Sequence, residues 1–520
     1  MGFDRESYHR TKQELADILE KKLGVQVYTE SFLADKEQLF CLARDSVGKK
    51  LYSAGTGSAE RLDLPDPGRK SLVNETLTVF ESPLSSANAA RLRKKFTHLA
   101  PSVIGIHSSA GFGDRLGCAT PGHVRALLNS SGESGFFRPV FAQQSTRENL
   151  RTGRSSLEVI DDAMWGVMQS GWKDGYGADA DHLKTTIEIS ECLRNGYTFF
   201  TIDPGDHVKN VDASLGGTSL DEELELLPWD RLETSWPDLR GRLAGKPLRC
   251  GERVFELDES SMAVAAVKYG RAVAHTVEMY RHLLDLSDGK KDSFELEVSV
   301  DETESPTTAE EHLYIATELR RLGVEWQSLA PRFPGRFEKG VDYQAEPSLE
   351  IESSLNELKQ SFISHAAIAR HFGPYKISLH SGSDKFLAYP LLSEAAGELV
   401  HLKTAGTSYL EALRVTSVKD PGFFRKAHQF AVSRYPEDKA SYHVSADLDL
   451  ASDTLKMDDS ELVSVFDSLH DRQILHVTFG SLLNDSELKG RLLEILDSQE
   501  EQYYDFLDAH FRKHLEPFMA

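Results

Sequence analysis

Cysteine is scarce. Only Cys41, Cys118, Cys192 and Cys250 occur in 520 residues, far apart and with no C-x-x-C pair. That excludes a disulfide scaffold and a thiolate zinc cluster, and it fits a reducing compartment, so a cytoplasmic location is expected. No apolar run approaches the roughly 20 residues of a membrane span. The start, MGFDRESYHR, is charged and lacks an apolar h-region, so no signal peptide is expected. Glu6 also breaks the myristoylation pattern that Met-Gly could open. Positive charge is in deficit: 59 Lys and Arg face 82 Asp and Glu, a formal net charge of −23. Such a surface repels nucleic acid and anionic membranes, and neither partner is expected. A nucleophile elbow and a P-loop are missing. Gly111-Phe112-Gly113-Asp114-Arg115-Leu116-Gly117 misses G-x-G-x-x-G by one position, so no nucleotide cofactor is expected.

What remains is an ordinary globular composition, 40% apolar and 27% charged. Within it, eight short apolar segments end in polar, chemically capable residues. They are Val103–His107, Pro139–Ser145, Tyr176–Lys184, Thr198–Asp203, Phe294–Glu302, Trp326–Phe333, Lys376–Asp384 and Leu399–Thr407. Helical patterns lie between most of them, which predicts a (β/α)8 TIM barrel of class α/β. Catalytic groups of that fold sit at strand C-terminal ends. His107, Ser145, Asp181, His182, Asp203, Glu302, Arg332, His380, Asp384 and Lys403 would fall there.

Residues 1–100 do not join this pattern and predict an N-terminal α/β cap. A helix over Thr11–Leu23 precedes a meander of Gly24–Ser31, Gln38–Asp45 and Lys50–Ala54, and Asn74–Leu92 reads as a strand then a helix. The barrel spans 101–415, with an insertion at about 204–293 that is long enough to be an active-site cover or interface element. Residues 416–520 predict a helical C-terminal extension. Its amphipathic end, Glu487–Phe518, could buttress the barrel or pair with another subunit, which leaves a homo-oligomer open.

Five constellations could carry chemistry. In Gly177–Lys184, alternation puts Asp179 and Asp181 on one face and His182 on the other, so Asp181 and His182 share a site only if the strand ends there. The bland alternative is Asp181 capping a helix from about Leu183. Asp203-Pro204-Gly205 is turn chemistry that could also supply a carboxylate. On the fifth strand, Glu295 and Glu297 share a face with Ser299 and Asp301, opposite Val298, Val300 and Glu302. An inward carboxylate is costly unless paired or metal-bound. Glu310 and Glu311 read as an acidic first helical turn. His380-Ser381-Gly382-Ser383-Asp384-Lys385 has more ligand and base residues than a packing loop needs. His401–Thr407 could present helix N–H groups to an anion or be a Thr-capped helix start. His, Asp and Glu at separate strand ends suit one divalent ion such as Mn, Zn, Ni or Mg. Lys184, Arg332, Lys339, Lys385 and Lys403 at or past strand ends of an acidic chain suggest a small anionic substrate.

These motifs together resemble the tagaturonate epimerase family of hexuronate catabolism. The resemblance covers about residues 100–415 and rests on Gly177–Lys184, Phe200–His207, Ser299–Glu302, Leu329–Phe333, Glu338–Tyr343, His380–Phe386 and His401–Arg414. It implies a metal-dependent epimerase that interconverts tagaturonate and fructuronate. Asp181 is then the proton acceptor and Glu302 the proton donor. His182 and His380 are metal ligands, with Asp342 as a third and Glu338 or Asp203 as alternatives to it. Arg332, Lys385 and Lys403 would hold the sugar-acid carboxylate, and Ser145 and Thr201 would contact hydroxyls. The two sugars differ at the carbinol carbon β to the ketone, which enolisation does not reach, so a retro-aldol route is the expected inversion. A metal-dependent aldose–ketose isomerase and a non-catalytic sugar-acid-binding barrel are the competing readings.

Overall fold

A computed structural model describes residues 5–35, 38–56, 64–66, 68–73, 77–130, 137–211 and 217–519. Eight parallel strands close a barrel in strict chain order. They are β1 (Ser109–Gly111), β2 (Arg138–Ser145), β3 (Gly177–Leu183), β4 (Phe199–Ile202), β5 (Glu295–Val300), β6 (Ser328–Pro331), β7 (Lys376–Leu379) and β8 (Val400–Lys403). Helices follow the strands on the outside, several with N-caps that the sequence already carries. Ser155 with Glu158, Thr185 with Glu188 and Thr308 with Glu311 each form a capping box. Thr185, rather than Asp181, therefore caps the helix after β3. Glu311 completes its cap and also receives Lys268 Nζ at 3.0 Å, as a helix-start acid should.

Seven strands lie where the apolar segments predict, and the first does not. Val103–His107 is no strand. It runs across the N-terminal end of the barrel, where the Ile104 and Gly105 N–H groups cap the buried Glu295 carboxylate at 2.8 and 2.7 Å. His107 is exposed at that end, opposite the strand C-termini. The true first strand is made of small residues because space demands it. A Cβ on Gly111 would stand 2.8 Å from Gln143 Cγ.

The N-terminal region is an antiparallel sheet with strand order Gln26–Val27, Gln38–Asp45, Gly48–Thr56, Leu77–Ser82, Arg69–Val73, and Leu33–Asp35 paired at one side. Its alternation buries both faces. Leu39, Cys41, Tyr52 and Ala54 meet Leu15, Ile18 and Leu19 of the first helix, while Phe40, Leu42 and Leu51 join the main core. Positions 74–76 of the predicted strand lie outside the described residues. The strand itself is Leu77–Ser82, and the helix after it is Ser86–Lys95.

The stretch 204–293 ends in the 28-residue crossover helix Glu259–Leu286, whose middle is buried. The preceding hairpin, Leu248–Cys250 with Arg253–Phe255, is tied to the helix Ile351–Phe372 through Arg253, which reaches Ser364 Oγ and Gln360 Oε1 at 2.9 and 2.7 Å. It flanks the barrel. Asn210 of the stretch lines the barrel mouth, and the rest of the cover comes from the loop after β6 and from Tyr442–Ser445 of the C-terminal extension. Tyr503, Tyr504, Leu507, Phe511 and Leu515 bury the apolar face of the last helix within the chain. No helix among the described residues is long and apolar enough to cross a membrane.

Candidate functional site

The barrel interior is polar, and its charge balance explains the arrangement. Lys403 on β8 points inward, and its ammonium lies 2.7 Å from Asp179, 2.6 Å from Asp181 and 2.9 Å from Glu297. Thr201 Oγ1 takes a fourth contact at 2.6 Å and donates to Asp179 at 2.9 Å. Three carboxylates share one buried cation, so they cannot all be ionised. Burial outweighs Lys403 at Asp179, and its neighbours Asp181 and Glu297 add to the rise, which pushes it up to about 7. At Asp181 burial is overcome by Lys403 and the two nearby histidines, which hold its carboxyl well below the usual range. Glu297 is likewise held low, chiefly by Lys403 and His380 against burial. Asp181 is therefore kept ionised by its surroundings.

Asp181 and His182 reach one site because β3 carries a bulge. Ala180 pairs with Phe200 and Leu183 with Ile202, so both residues lie opposite Thr201 alone. His182 sits at φ 55°, a left-handed conformation that only a few per cent of non-glycine residues adopt. Its Nδ1 faces Asp203 Oδ2 at 3.3 Å, while Asp203 Oδ1 accepts the Gly205 N–H at 2.8 Å. Asp203 thus sets the turn and orients the histidine together. His380 follows β7, with its ring 5.0 Å from that of His182 at 77°. Its Nε2 is 2.6 Å from Glu297 Oε1, and its Nδ1 is 3.3 Å from Asp301 Oδ1. Burial works against protonation of His182, but Asp181, Asp203 and Asp301 outweigh it and raise it to about 10. A carboxylate behind each imidazole is the usual support for a metal-ligating histidine.

Ligand atoms of Asp181, His182 and His380 lie within 4.8 Å of one another, a group that could hold a metal ion. A carboxylate with two imidazoles suits a borderline divalent ion. Asp384, His510 and His514 form a second such group, but its chemistry is different. Asp384 pairs with Arg472 at 2.9 Å and His510 at 2.7 Å, and its N–H donates to His514 Nε2 at 2.9 Å. A guanidinium and a donor N–H at the ligand atoms disfavour a cation. This network instead pins the loop after β7, in which Ser381 and Asp384 are both left-handed.

Other expected site residues are placed differently. Asp342 accepts the N–H groups of Tyr343 and Leu387 at 2.7 and 3.2 Å and does not join the Asp181–His182–His380 group. Lys385 is fully buried, with its ammonium on the carbonyls of Glu338, Val341 and Ser383, and burial pushes it down to about 8. Lys403 offers three N–H bonds to four oxygens already in contact, so neither lysine has a donor left for a substrate carboxylate. Ser145 Oγ caps the helix Thr146–Thr152 by accepting the Glu148 N–H at 3.2 Å. Thr201 is enclosed by Asp179 and Lys403. Above His380 opens a cavity of about 920 Å³ whose wall includes Asp301, Glu302, Arg332 and Lys339. Glu302 pairs there with Arg147 at 3.0 Å and is part-exposed, whereas Asp301 turns to His380. The parity of Glu295, Glu297, Ser299 and Asp301 carries the signal for Asp301. Nothing in the sequence marks Gln143, which donates to Asp181 at 3.1 Å.

Comparison with known proteins agrees over the whole of this architecture. The family model for UxaE, tagaturonate epimerase, matches residues 28–518. The tagaturonate/fructuronate epimerase of Thermotoga maritima is 41% identical over 493 residues, covering 95% of this chain and 97% of that one. A glycerol-bound crystal structure of the fructuronate-tagaturonate epimerase UxaE from Cohnella laeviribosi superposes with a TM-score of 0.86 at 31% identity, covering 97% of this chain and 99% of that one. With the barrel, its mouth and the Asp181–His182–His380 group all inside the matched span, the chain belongs to the tagaturonate epimerase family.

Proposed function

We propose that this isomerase interconverts tagaturonate and fructuronate at the mouth of the barrel. The observation that carries the reading is the family match over nearly the full length, since the 41% identical relative is a tagaturonate/fructuronate epimerase. The Asp181–His182–His380 group beneath a cavity of about 920 Å³ supports it.

His182 Nε2 and His380 Nδ1, the nitrogens turned away from Asp203 and Glu297, would hold one divalent ion, with Asp301 as the nearest further carboxylate to His380 Nδ1. Such an ion supplies Lewis-acid polarisation of a ketone or hydroxyl oxygen. The carbon to be inverted is β to the ketone, so removal of its own hydrogen gains no carbonyl stabilisation. Asp181, held ionised by Lys403, accepts the hydroxyl proton at that carbon instead. The C3–C4 bond then opens to an enediolate and an aldehyde, the aldehyde turns, and C3 adds to its opposite face. The same proton returns to the new alkoxide from Asp181. Were Glu302 on the cavity wall the donor, it would have to arrive protonated, and the Asp181 proton would have to pass back to it through solvent before the next turnover. Arg332 on the cavity wall adds positive charge to the mouth that would receive the sugar acid.

Nuclear magnetic resonance of metal-stripped protein with fructuronate, with and without Mn, Zn or Ni, tests the reading. Tagaturonate that forms only with metal is the expected result. An aldose product, or no turnover with any metal, contradicts it.

A further inference from the structure

The arginines and lysines that line the cavity are not equally committed. Arg147 pairs with Glu302 at 3.0 Å and Arg336 with Glu338 at 3.1 Å. Arg332 donates one N–H to the Thr303 carbonyl. Lys339 is half-buried on the cavity wall and, among the described residues, forms neither a hydrogen bond nor an ion pair. Glu304 and Glu346 also line the cavity, but neither forms an ion pair with Lys339. An ammonium on a cavity wall with no protein counter-charge is free to pair with an anionic ligand.

Its backbone, by contrast, is clamped on both sides. The buried Glu338 carboxylate accepts Ser445 N–H and O–H at 3.0 and 2.7 Å and Gln473 Nε2 at 2.7 Å. The Glu338 and Val341 carbonyls both accept Lys385 Nζ, and the Gly340 carbonyl accepts Arg472 Nε at 2.6 Å. Gly340 permits the turn at φ 75°. A fixed backbone that carries one uncommitted cation binds an anion with little further ordering.

We infer that Lys339 recognises the carboxylate of the substrate and so sets the preference for a uronate over a neutral ketose. The buried Lys385 acts at one remove, as the clamp beneath it. This inference rests on the uronate reading above. The neutral ketohexose that carries CH2OH in place of the carboxylate is the discriminating probe.

Binding of fructuronate and of that neutral ketohexose is measured by calorimetry for the wild type, Lys339→Met, Lys339→Gln and Lys339→Arg, with product formation followed in the same samples. The expected result is fructuronate binding weakened about tenfold or more in the Met and Gln variants, with neutral-sugar binding unchanged and most affinity restored by Arg. Added salt should weaken fructuronate binding to the wild type more than to either neutral variant. Equal losses on both sugars, or unchanged fructuronate affinity, would overturn the assignment. Selective loss of fructuronate binding without tagaturonate in the wild type would sustain Lys339 and overturn the epimerase reading.

Discussion

Lys403 balances the buried charge of the barrel interior. Its ammonium contacts Asp179, Asp181 and Glu297, all within 2.9 Å and all buried. Replacing Lys403 by Met would strand this cluster, at a cost of about 3–5 kcal/mol, readable by denaturant unfolding. A substrate-binding lysine would instead raise KM and leave stability alone. Asp181→Asn keeps shape and removes the base. Turnover should fall by about 10²–10⁴-fold, with the unfolding midpoint little changed by comparison with Lys403→Met.

At the scale of elements, the bulged C-terminal end of β3 and the loop after β7 do the positioning. The β3 bulge turns His182 toward His380, and the Asp384 network holds the loop that carries His380. Burial alone would raise the Asp384 carboxyl, but Arg472 and His510 hold it well below the usual range. Asp384→Asn should therefore cost about 3 kcal/mol in stability and also lower turnover, since the loop it fixes leads directly to His380. Thermal melts and kinetics on one preparation check both. These segments also mark the limit of what was legible. Strands β2–β8 could be read because each apolar run ends in polar residues at a predictable place. The first strand could not, because Ser109–Gly111 is shorter and less apolar than the segment that closes the barrel floor before it. Strand alternation separates Asp181 from His182, and no composition signal announces the bulge that reverses this. Alternation did place Asp301 with the inward carboxylates, whereas contacts made across the sequence, such as Asp384 with His510, leave no local trace.

In the whole molecule, Glu500 joins three parts. It lies on the last helix and receives Lys49 and Arg44 from the N-terminal sheet, Tyr28 OH at 2.7 Å, and Gln169 Nε2 from a barrel helix at 3.3 Å. Burial opposes its ionisation, but Lys49 and its hydrogen-bond donors outweigh this and lower it from 4.5 to about 2. A carboxyl with a lowered folded pKa stabilises fully above its unfolded value. That contribution is complete above about pH 4.5 and lost as pH falls toward 2. Glu500→Gln should lower stability by about 1–3 kcal/mol at neutral pH and flatten the acid limb of a melting-temperature profile.

The central claim is that the carbinol centre inverts with its C–H bond intact, through cleavage of C3–C4 started by Asp181. Competitive isotope effects on the fructuronate-to-tagaturonate reaction test this most directly. The account predicts carbon-13 effects at both C3 and C4, no primary deuterium effect at the C4 hydrogen, and retention of a C4 deuterium label in product. A primary deuterium effect at C4, or exchange of that label with solvent, would contradict it.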